Sequence, residues 1–414
     1  MDTQHSVGRV TSCQICAASP LEEVLSLGHQ PLPSSYLTEA GLHEPEVAYP
    51  LNLSRCASCG LLQLDYIVDP KLVFPPEYPY QTGLTNMLVR NFQSLAEKVI
   101  PELKLAPGSL VVDIGSNDGT LLKPFQEKGM RVLGIEPTDV AKIANERGIE
   151  TLQEYLTLDA ARAAAASHGK AKLVTAANVF AHINTLFDVV ESIKELLDDD
   201  GVFISESQYL LDIVEKLEFD TVYHEHLRFY ALKPLMKLFA LTGMSVIDAE
   251  RISAAGGSIR VYAKKGEHPA SERVQKIIAD EEAAGLYDRE ALRGFAARAI
   301  QAKRDLMTLL QDCRKKGRIV GIGAPVRGNT LLGFTKVDTA LLDYTCEKNG
   351  SPKIGMFTPG THIPVVDEKR LFEEQPEYAL VLSWHIGDEL VKKLKDLGYK
   401  GACIIPLPVP RVIS

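Results

Sequence analysis

The fold turns on one stretch, Leu110-Val-Val-Asp-Ile-Gly-Ser-Asn-Asp-Gly-Thr-Leu-Leu122. A β-branched apolar run, Leu110–Ile114, carries Asp113 and ends in a loop with Gly115, Asn117, Asp118 and Gly119. An apolar pattern of helical period follows. That order is a buried strand, a tight glycine turn and a helix start, the opening of a nucleotide-binding βαβ unit. Glycine there permits positive φ and lets a ligand approach the backbone. The spacing is D-x-G-x-x-x-G, not the G-x-G-x-x-G that seats a pyrophosphate on a helix end. An acidic residue where a phosphate would lie suits a ligand with a cationic centre, and S-adenosylmethionine carries two, its amino and sulfonium groups. About twenty residues on, a second strand at 132–135 ends in Glu136, placed to hydrogen-bond a ribose diol.

Working outward, 414 residues predict two or three domains. A hydrophobic content of 45% and a charged content of 24% are those of a soluble globular protein. A formal net charge of −9 argues against wholesale binding to nucleic acid. No apolar run approaches the roughly 20 residues of a membrane span, and the first residues lack a signal-peptide core, so the expected location is cytoplasmic.

Upstream lie two C-x-x-C pairs, Cys13/Cys16 and Cys56/Cys59, each in a turn-prone setting. Thiolates at this spacing share one tetrahedral zinc, and four cysteines leave no open coordination position, so the metal is expected to be structural. Cys313, Cys346 and Cys403 are scattered and read as buried apolar residues. The proline-rich stretch 66–83 predicts a linker without regular helix that presents Tyr78 and Tyr80 to the next domain. Residues 87–100 have helical periodicity and lead into the central strand.

Downstream, β/α alternation continues. A strand at 172–176 is followed by Ala177-Asn178-Val-Phe-Ala-His182, and since strand carboxyl ends face the ligand in a doubly wound sheet, Asn178 and His182 should line the site. A helix at 185–197 and a strand at 202–206 follow. The densest chemistry is Tyr223-His224-Glu225-His226. Such a concentration of proton-transfer groups is costly to bury and has no core role, which points to acid–base chemistry. H-E-H lacks the i, i+4 spacing of a helical zinc site. Residues 269–316 predict a helical pair. The last hundred residues restart a β/α pattern with a strand at 318–322 and a glycine turn, Gly323 to Thr330, that holds Arg327, Gly328 and Asn329. Amides at a helix start and one guanidinium suit a phosphate. A strand at 341–345 leads to Glu347, Lys348 and Asn349. His362 lies in a Pro-Gly turn, and Trp384 follows a strand at 379–383. An NAD-type fold is the rival for this region, but the G-x-G-x-x-G order is missing.

Together these stretches resemble the sugar C-methyltransferases of deoxysugar pathways, typified by dTDP-sugar C-3′-methyltransferases. The resemblance spans essentially the whole chain: the four-cysteine module, DIGSNDG, NVFAHI, FDTVYHEHL, GGSIRVY, GxGAxxxGNTLL, PGTHIP and SWH. Ala255 stands where many members have histidine before the GGS turn, and Arg327 replaces a common lysine. The resemblance implies three α/β domains: a zinc-binding domain over 1–75, a Rossmann-like S-adenosylmethionine methyltransferase domain over 76–310, and a Rossmann-like nucleotide-sugar-binding domain over 311–414. The implied substrate is a dTDP- or GDP-linked 4-keto-6-deoxyhexose, methylated at C3 or, as the alternative, at C5. The expected partner is that substrate, with no nucleic acid or membrane, in a monomer or dimer.

A carbon beside a ketone is a weak acid whose enolate is the nucleophile, so the chemistry needs a base over the C–H and donors for the ketone oxygen. His226 is the expected base, with an imidazole pKa close to working pH. Glu225 would orient an imidazole or hold a sugar hydroxyl, and Tyr223 and His182 are candidate donors. Tyr78 or Tyr80 would close over the sugar. Asp113, Gly115, Asn117, Asp118, Gly119, Glu136 and Asn178 are expected at the cofactor. His224, Gly323, Arg327, Gly328, Asn329, Thr330, Glu347, Lys348, Asn349, His362 and Trp384 are expected at the nucleotide sugar. Two other classes compete: an RNA methyltransferase using the zinc module as a clamp, and an NAD-dependent sugar oxidoreductase or epimerase.

Overall fold

The computed structural model describes residues 7–75 and 81–414. Its centre is a seven-stranded sheet in the order Met244–Ile252, Ser258–Lys265, Leu197–Gln208, Ala171–Ala177, Leu110–Ile114, Arg131–Ile135, Thr151–Leu152. Every residue of Leu110–Ile114 is buried, as expected of a parallel strand covered on both faces. The chain runs first to one side of this strand and then to the other, pairing it in parallel with Arg131–Ile135 and with Ala171–Ala177. Such a switch point opens a crevice at the strand carboxyl ends, where Gly115 and Asn178 lie. Ser258–Lys265 alone runs antiparallel between its two neighbours. The predicted strand at 202–206 extends over Leu197–Gln208, with a bulge between Leu197 and Val202.

The C-terminal domain is a six-stranded sheet, ordered Val365–Asp367, Thr345–Glu347, Ile319–Ile322, Tyr378–Val381, Ala402–Ile405, Arg411–Ile413, parallel except for the last strand. Ile319–Ile322 is its switch-point strand, leading into Gly323. The strand expected at 341–345 begins only at Thr345. Residues 341–344 are instead held by their side chains: Leu342 and Tyr344 are buried, and Asp343 pairs with Arg314 and Arg318. The predicted helical pair is present as Glu272–Ala283 and Arg289–Arg314, started by the side chains of Ser271 and Asp288. The longer helix also packs against the N-terminal sheet.

The N-terminal domain departs most from expectation. Its four-stranded sheet is ordered Arg228–Phe229, Leu62–Leu64, Tyr49–Arg55, Glu22–Gln30, so the edge strand is lent by the segment just after Tyr223–His226. The predicted linker is partly regular as well. Tyr66–Ile67 pairs with Gly8–Arg9, and Pro70–Val73 forms one helical turn. Proline is tolerated there because it opens the turn, where an amide would be unpaired anyway, while Asp69 accepts from the Lys71 amide. No helix among the described residues is long and apolar enough to cross a membrane.

Candidate active site

In the cofactor loop, Gly115 has φ +65°, and a Cβ there would lie 2.5 Å from Val179 Cγ2. The loop backbone therefore touches the turn that follows the strand Ala171–Ala177. Asp113 is buried and accepts from Thr175 Oγ1 at 2.6 Å. Burial, reinforced by the charges of Glu136 and Glu206, pushes its carboxyl up to about 7. Glu136 accepts from the Asn117 amide at 3.0 Å and from Thr138 N and Oγ1 at 2.9 and 2.6 Å. That leaves acceptor capacity for a diol on the Oε2 side.

Two loop residues are spent differently from expectation. The Asp118 carboxylate takes the Gly83 amide (3.0 Å), Thr120 Oγ1 (2.6 Å) and Arg147 Nη1 (2.8 Å), and Asn117 Oδ1 takes the Thr82 amide (2.8 Å). Both therefore anchor the chain that follows residues 76–80, and Gly119 packs under Ile149. Tyr78 and Tyr80 themselves lie outside the described residues. On the other side of them, Phe74 stacks on His182 with ring centroids 5.6 Å apart.

His182, Tyr223 and His226 form one cluster. The His226 ring lies 4.1 Å from Tyr223 and 4.9 Å from His182, centroid to centroid. His226 Nδ1 is 2.7 Å from the Thr221 carbonyl oxygen. A carbonyl only accepts, so Nδ1 carries the proton and Nε2 holds the free lone pair. Burial lowers this imidazole to about 4, with the Arg327 charge adding to the effect and the Thr221 carbonyl opposing it. The expectation of a pKa near working pH is thus corrected: no counter-charge is close enough to offset desolvation. Burial, together with the charges of His226 and Arg228, holds His182 well below its ordinary value. Both rings are neutral at pH 7. Glu225 is buried, and His224 packs edge-on against Tyr49 of the N-terminal sheet at 5.9 Å. That neighbour removes His224 from the cluster.

The turn 178–182 joins the two centres. Asn178 has φ +58° and donates its amide to the Glu206 carbonyl; Val179 meets Gly115; His182 meets His226. Arg228, fully buried, donates to the Ile183 and Asn184 carbonyls at 2.7 and 3.4 Å, fixing the same loop from the other side.

In the C-terminal domain the helix begins at Val326 after Pro325, so Arg327, Gly328, Asn329 and Thr330 are helical and not part of an open turn. This corrects several assignments. Arg327 pairs with Asp220 through Nε (2.9 Å) and Nη2 (2.8 Å), and Trp384 Nε1 donates to the same carboxylate at 2.7 Å. Both side chains are taken up by that carboxylate. Gly328 lets the helix close on Leu382, and Thr330 is fully buried. Asn329 donates to Pro33 O (2.7 Å) and Tyr36 Oη (2.9 Å), and His362 Nε2 meets Glu46 Oε2 (3.1 Å), so both clamp the N-terminal domain. Glu347 accepts from the Ala324 amide at 2.6 Å, while Lys348 and Asn349 are exposed just beyond it. Lys353, absent from the sequence-based set, lies at the same turn. Its Nζ donates to Ala324 O at 2.7 Å and sits 5.1 Å over the Tyr36 ring. Burial lowers its pKa, with Glu347 opposing. No spacing rule marks a lysine 30 residues past a turn.

The four cysteines converge. Their sulfurs lie within 4.8 Å of one another, with Cys13–Cys59 and Cys16–Cys56 each 3.5 Å apart. A tetrahedron with bonds of about 2.3 Å has edges close to this, and the amides of Ile15, Cys16 and Cys59 turn toward the sulfurs as in a zinc knuckle. The residues fit the metal.

Three family models cover the chain in sequence: a zinc binding domain at 13–74, a methyltransferase domain at 87–249 and a C-methyltransferase C-terminal domain at 253–410. A curated relative, the C-methyltransferase NovU of Streptomyces niveus, is 30% identical over 99% of this chain and 99% of its own. The chain belongs to the C-methyltransferase family. It is an S-adenosylmethionine-dependent enzyme of that family, with zinc in its N-terminal domain. Among solved structures, it resembles the magnesium protoporphyrin IX methyltransferase of Synechocystis PCC 6803 (16% identity, 44% of this chain and 84% of that one, TM-score 0.34). It also resembles the CcbJ methyltransferase of Streptomyces caelestis (13% identity, 43% and 90%, TM-score 0.33).

Proposed function

We propose that this C-methyltransferase acts on C3 of a dTDP- or GDP-linked 4-keto-6-deoxyhexose through an enolate. The observation that carries the reading is the turn 178–182, which puts Val179 on the cofactor-loop glycine and His182 on His226. A base and a methyl donor held one turn apart are what carbon alkylation beside a ketone requires. Bound S-adenosylmethionine supplies a methyl group already activated by its sulfonium. Gly115 gives it backbone access, Glu136 takes its ribose, and Asp113 and Asn178 border its methionine end.

His226 Nε2 removes the C3 proton. In the free enzyme it is a weak base, but a negative enolate forming beside it favours the imidazolium, so the base strengthens as the reaction needs it. His182, neutral, and Tyr223 donate to the ketone oxygen, a role a neutral imidazole performs without giving up a full proton. Glu225 offers its carboxylate to a sugar hydroxyl or to the imidazolium. The C-terminal crevice, bordered by Gly323 and Glu347, takes the nucleotide. Lys353 provides the charge for its diphosphate, in place of Arg327, which is taken up by Asp220. A half-desolvated ammonium gains on meeting an anion.

The test is incubation with methyl-¹³C-labelled cofactor and a panel of dTDP- and GDP-4-keto-6-deoxyhexoses. The predicted product carries the label on C3. Label on C5 contradicts the position, label on oxygen contradicts the enolate, and no methylated sugar from any panel member contradicts the substrate class.

A further inference from the structure

Thr221, whose carbonyl fixes the His226 tautomer, belongs to the short turn Phe219–Thr221. The middle residue of that turn, Asp220, is completely buried, and its carboxylate takes three donors from two separate C-terminal segments: Arg327 Nε and Nη2, and Trp384 Nε1. Arg327 also lies 5.2 Å over the Trp384 ring and reaches Glu218 at 3.4 Å. The neighbouring Phe219 ring meets Phe334 at 5.3 Å, on the helix that carries Arg327. A buried ion pair adds little to stability compared with an apolar contact, because desolvation offsets its attraction. What this one does is geometric: it clamps one peptide unit away from the carbonyl on which the base depends.

We propose that Asp220, gripped by Arg327 and Trp384, is a positioning residue that keeps the Thr221 carbonyl on His226 Nδ1–H and so presents Nε2 as the proton acceptor. The proposal rests on the reading of His226 as base. It makes the nucleotide-sugar domain a part of the machinery that orients the base. An imidazole freed from Thr221 samples both tautomers, and in one of them the nitrogen facing the sugar already carries a proton. The cost is in turnover and not in ligand binding, since Asp220 is completely buried and its carboxylate is taken up by Arg327 and Trp384. Partners that orient a metal-bound imidazole are worth about 10–100-fold, and the same scale is expected for an imidazole held as a base.

The experiment uses the full chain with ¹⁵N-labelled histidine. In Asp220→Asn, kcat should fall about 10–100-fold while the KM for the sugar and the affinity for S-adenosylmethionine stay at wild-type values. The His226 nitrogen shifts should move from the Nδ1–H pattern to a mixture. Trp384→Phe keeps the ring and removes one of the three donors, so it should show the same change to a smaller degree, and it decides the matter if Asp220→Asn does not fold. An unchanged tautomer in a folded variant overturns the proposal, as does wild-type kcat in Asp220→Asn or an effect of either variant confined to KM. If the wild-type enzyme methylates no ketosugar, the functional reading fails, and the nitrogen shifts still test the link from Asp220 to His226.

Discussion

His226 shows how environment sets the state of a residue that sequence can only nominate. Its ordinary value of 6.5 drops to about 4 on burial, as do those of His224 and His385. The acid limb of kcat/KM should therefore lie near 4 to 5, with a level profile through neutral pH. A limb centred at 6.5 would contradict a base buried without a counter-charge. Stability follows with a definite sign. Folded values below the unfolded one mean that protonation favours the unfolded chain. The contribution is complete above 6.5 and is lost as pH falls toward 4, at about 1.4 kcal/mol per pH unit for each ring. Urea midpoints measured across that window check it, and a flat result would mean that the rings are not buried as described. Sequence singled out this segment for its density of proton-transfer groups, and the structure brings His182, Tyr223 and His226 together. It did not foresee the partners of Arg327, Asn329, His362 and Trp384, because a motif fixes only the local frame. Arg327 meets a carboxylate 107 positions away, and no spacing rule announces such a partner.

Among the elements, the strand Arg228–Phe229 has the widest consequences. It completes the zinc domain's sheet through Leu62 and Gln63, and its arginine holds the loop behind His182. Zinc thereby supports chemistry it does not touch. Chelation, or Cys56→Ser, should open the N-terminal sheet and abolish turnover while S-adenosylmethionine still binds the central domain, as calorimetry and hydrogen exchange would record. Undiminished turnover in the metal-free protein would remove that coupling. The strand–glycine turn–helix at 110–122 was legible because a fully buried parallel strand reads as one apolar run. The two-residue strand was not, since its pairing depends on a sheet built some 160 positions earlier. The helix start at Val326 was missed for a different reason. Glycine and asparagine in the motif read as a turn, yet Pro325 opens a helix whose Gly328 comes close to Leu382.

At the scale of the molecule, three domains were legible from three separate signatures, and sheet membership divides the chain between Lys265 and Ile319. The manner of their meeting was not legible. The segment 218–230 touches all of them: the C-terminal domain through Asp220, the central turn through His226, and the zinc domain through His224 and Phe229. Residues so dense in polar groups are expensive to bury, and at the junction Asp220 meets Arg327 and Trp384 while His226 meets Thr221. The account predicts that this junction, with His226 at its centre, removes the proton. The direct measurement is hydrogen exchange at C3 of the ketosugar in D2O, with S-adenosylhomocysteine bound so that no methyl can transfer. The wild-type enzyme should exchange that hydrogen with solvent, and His226→Asn should do so about 10²–10⁴-fold more slowly while binding both ligands. Exchange at the wild-type rate in His226→Asn would contradict the account.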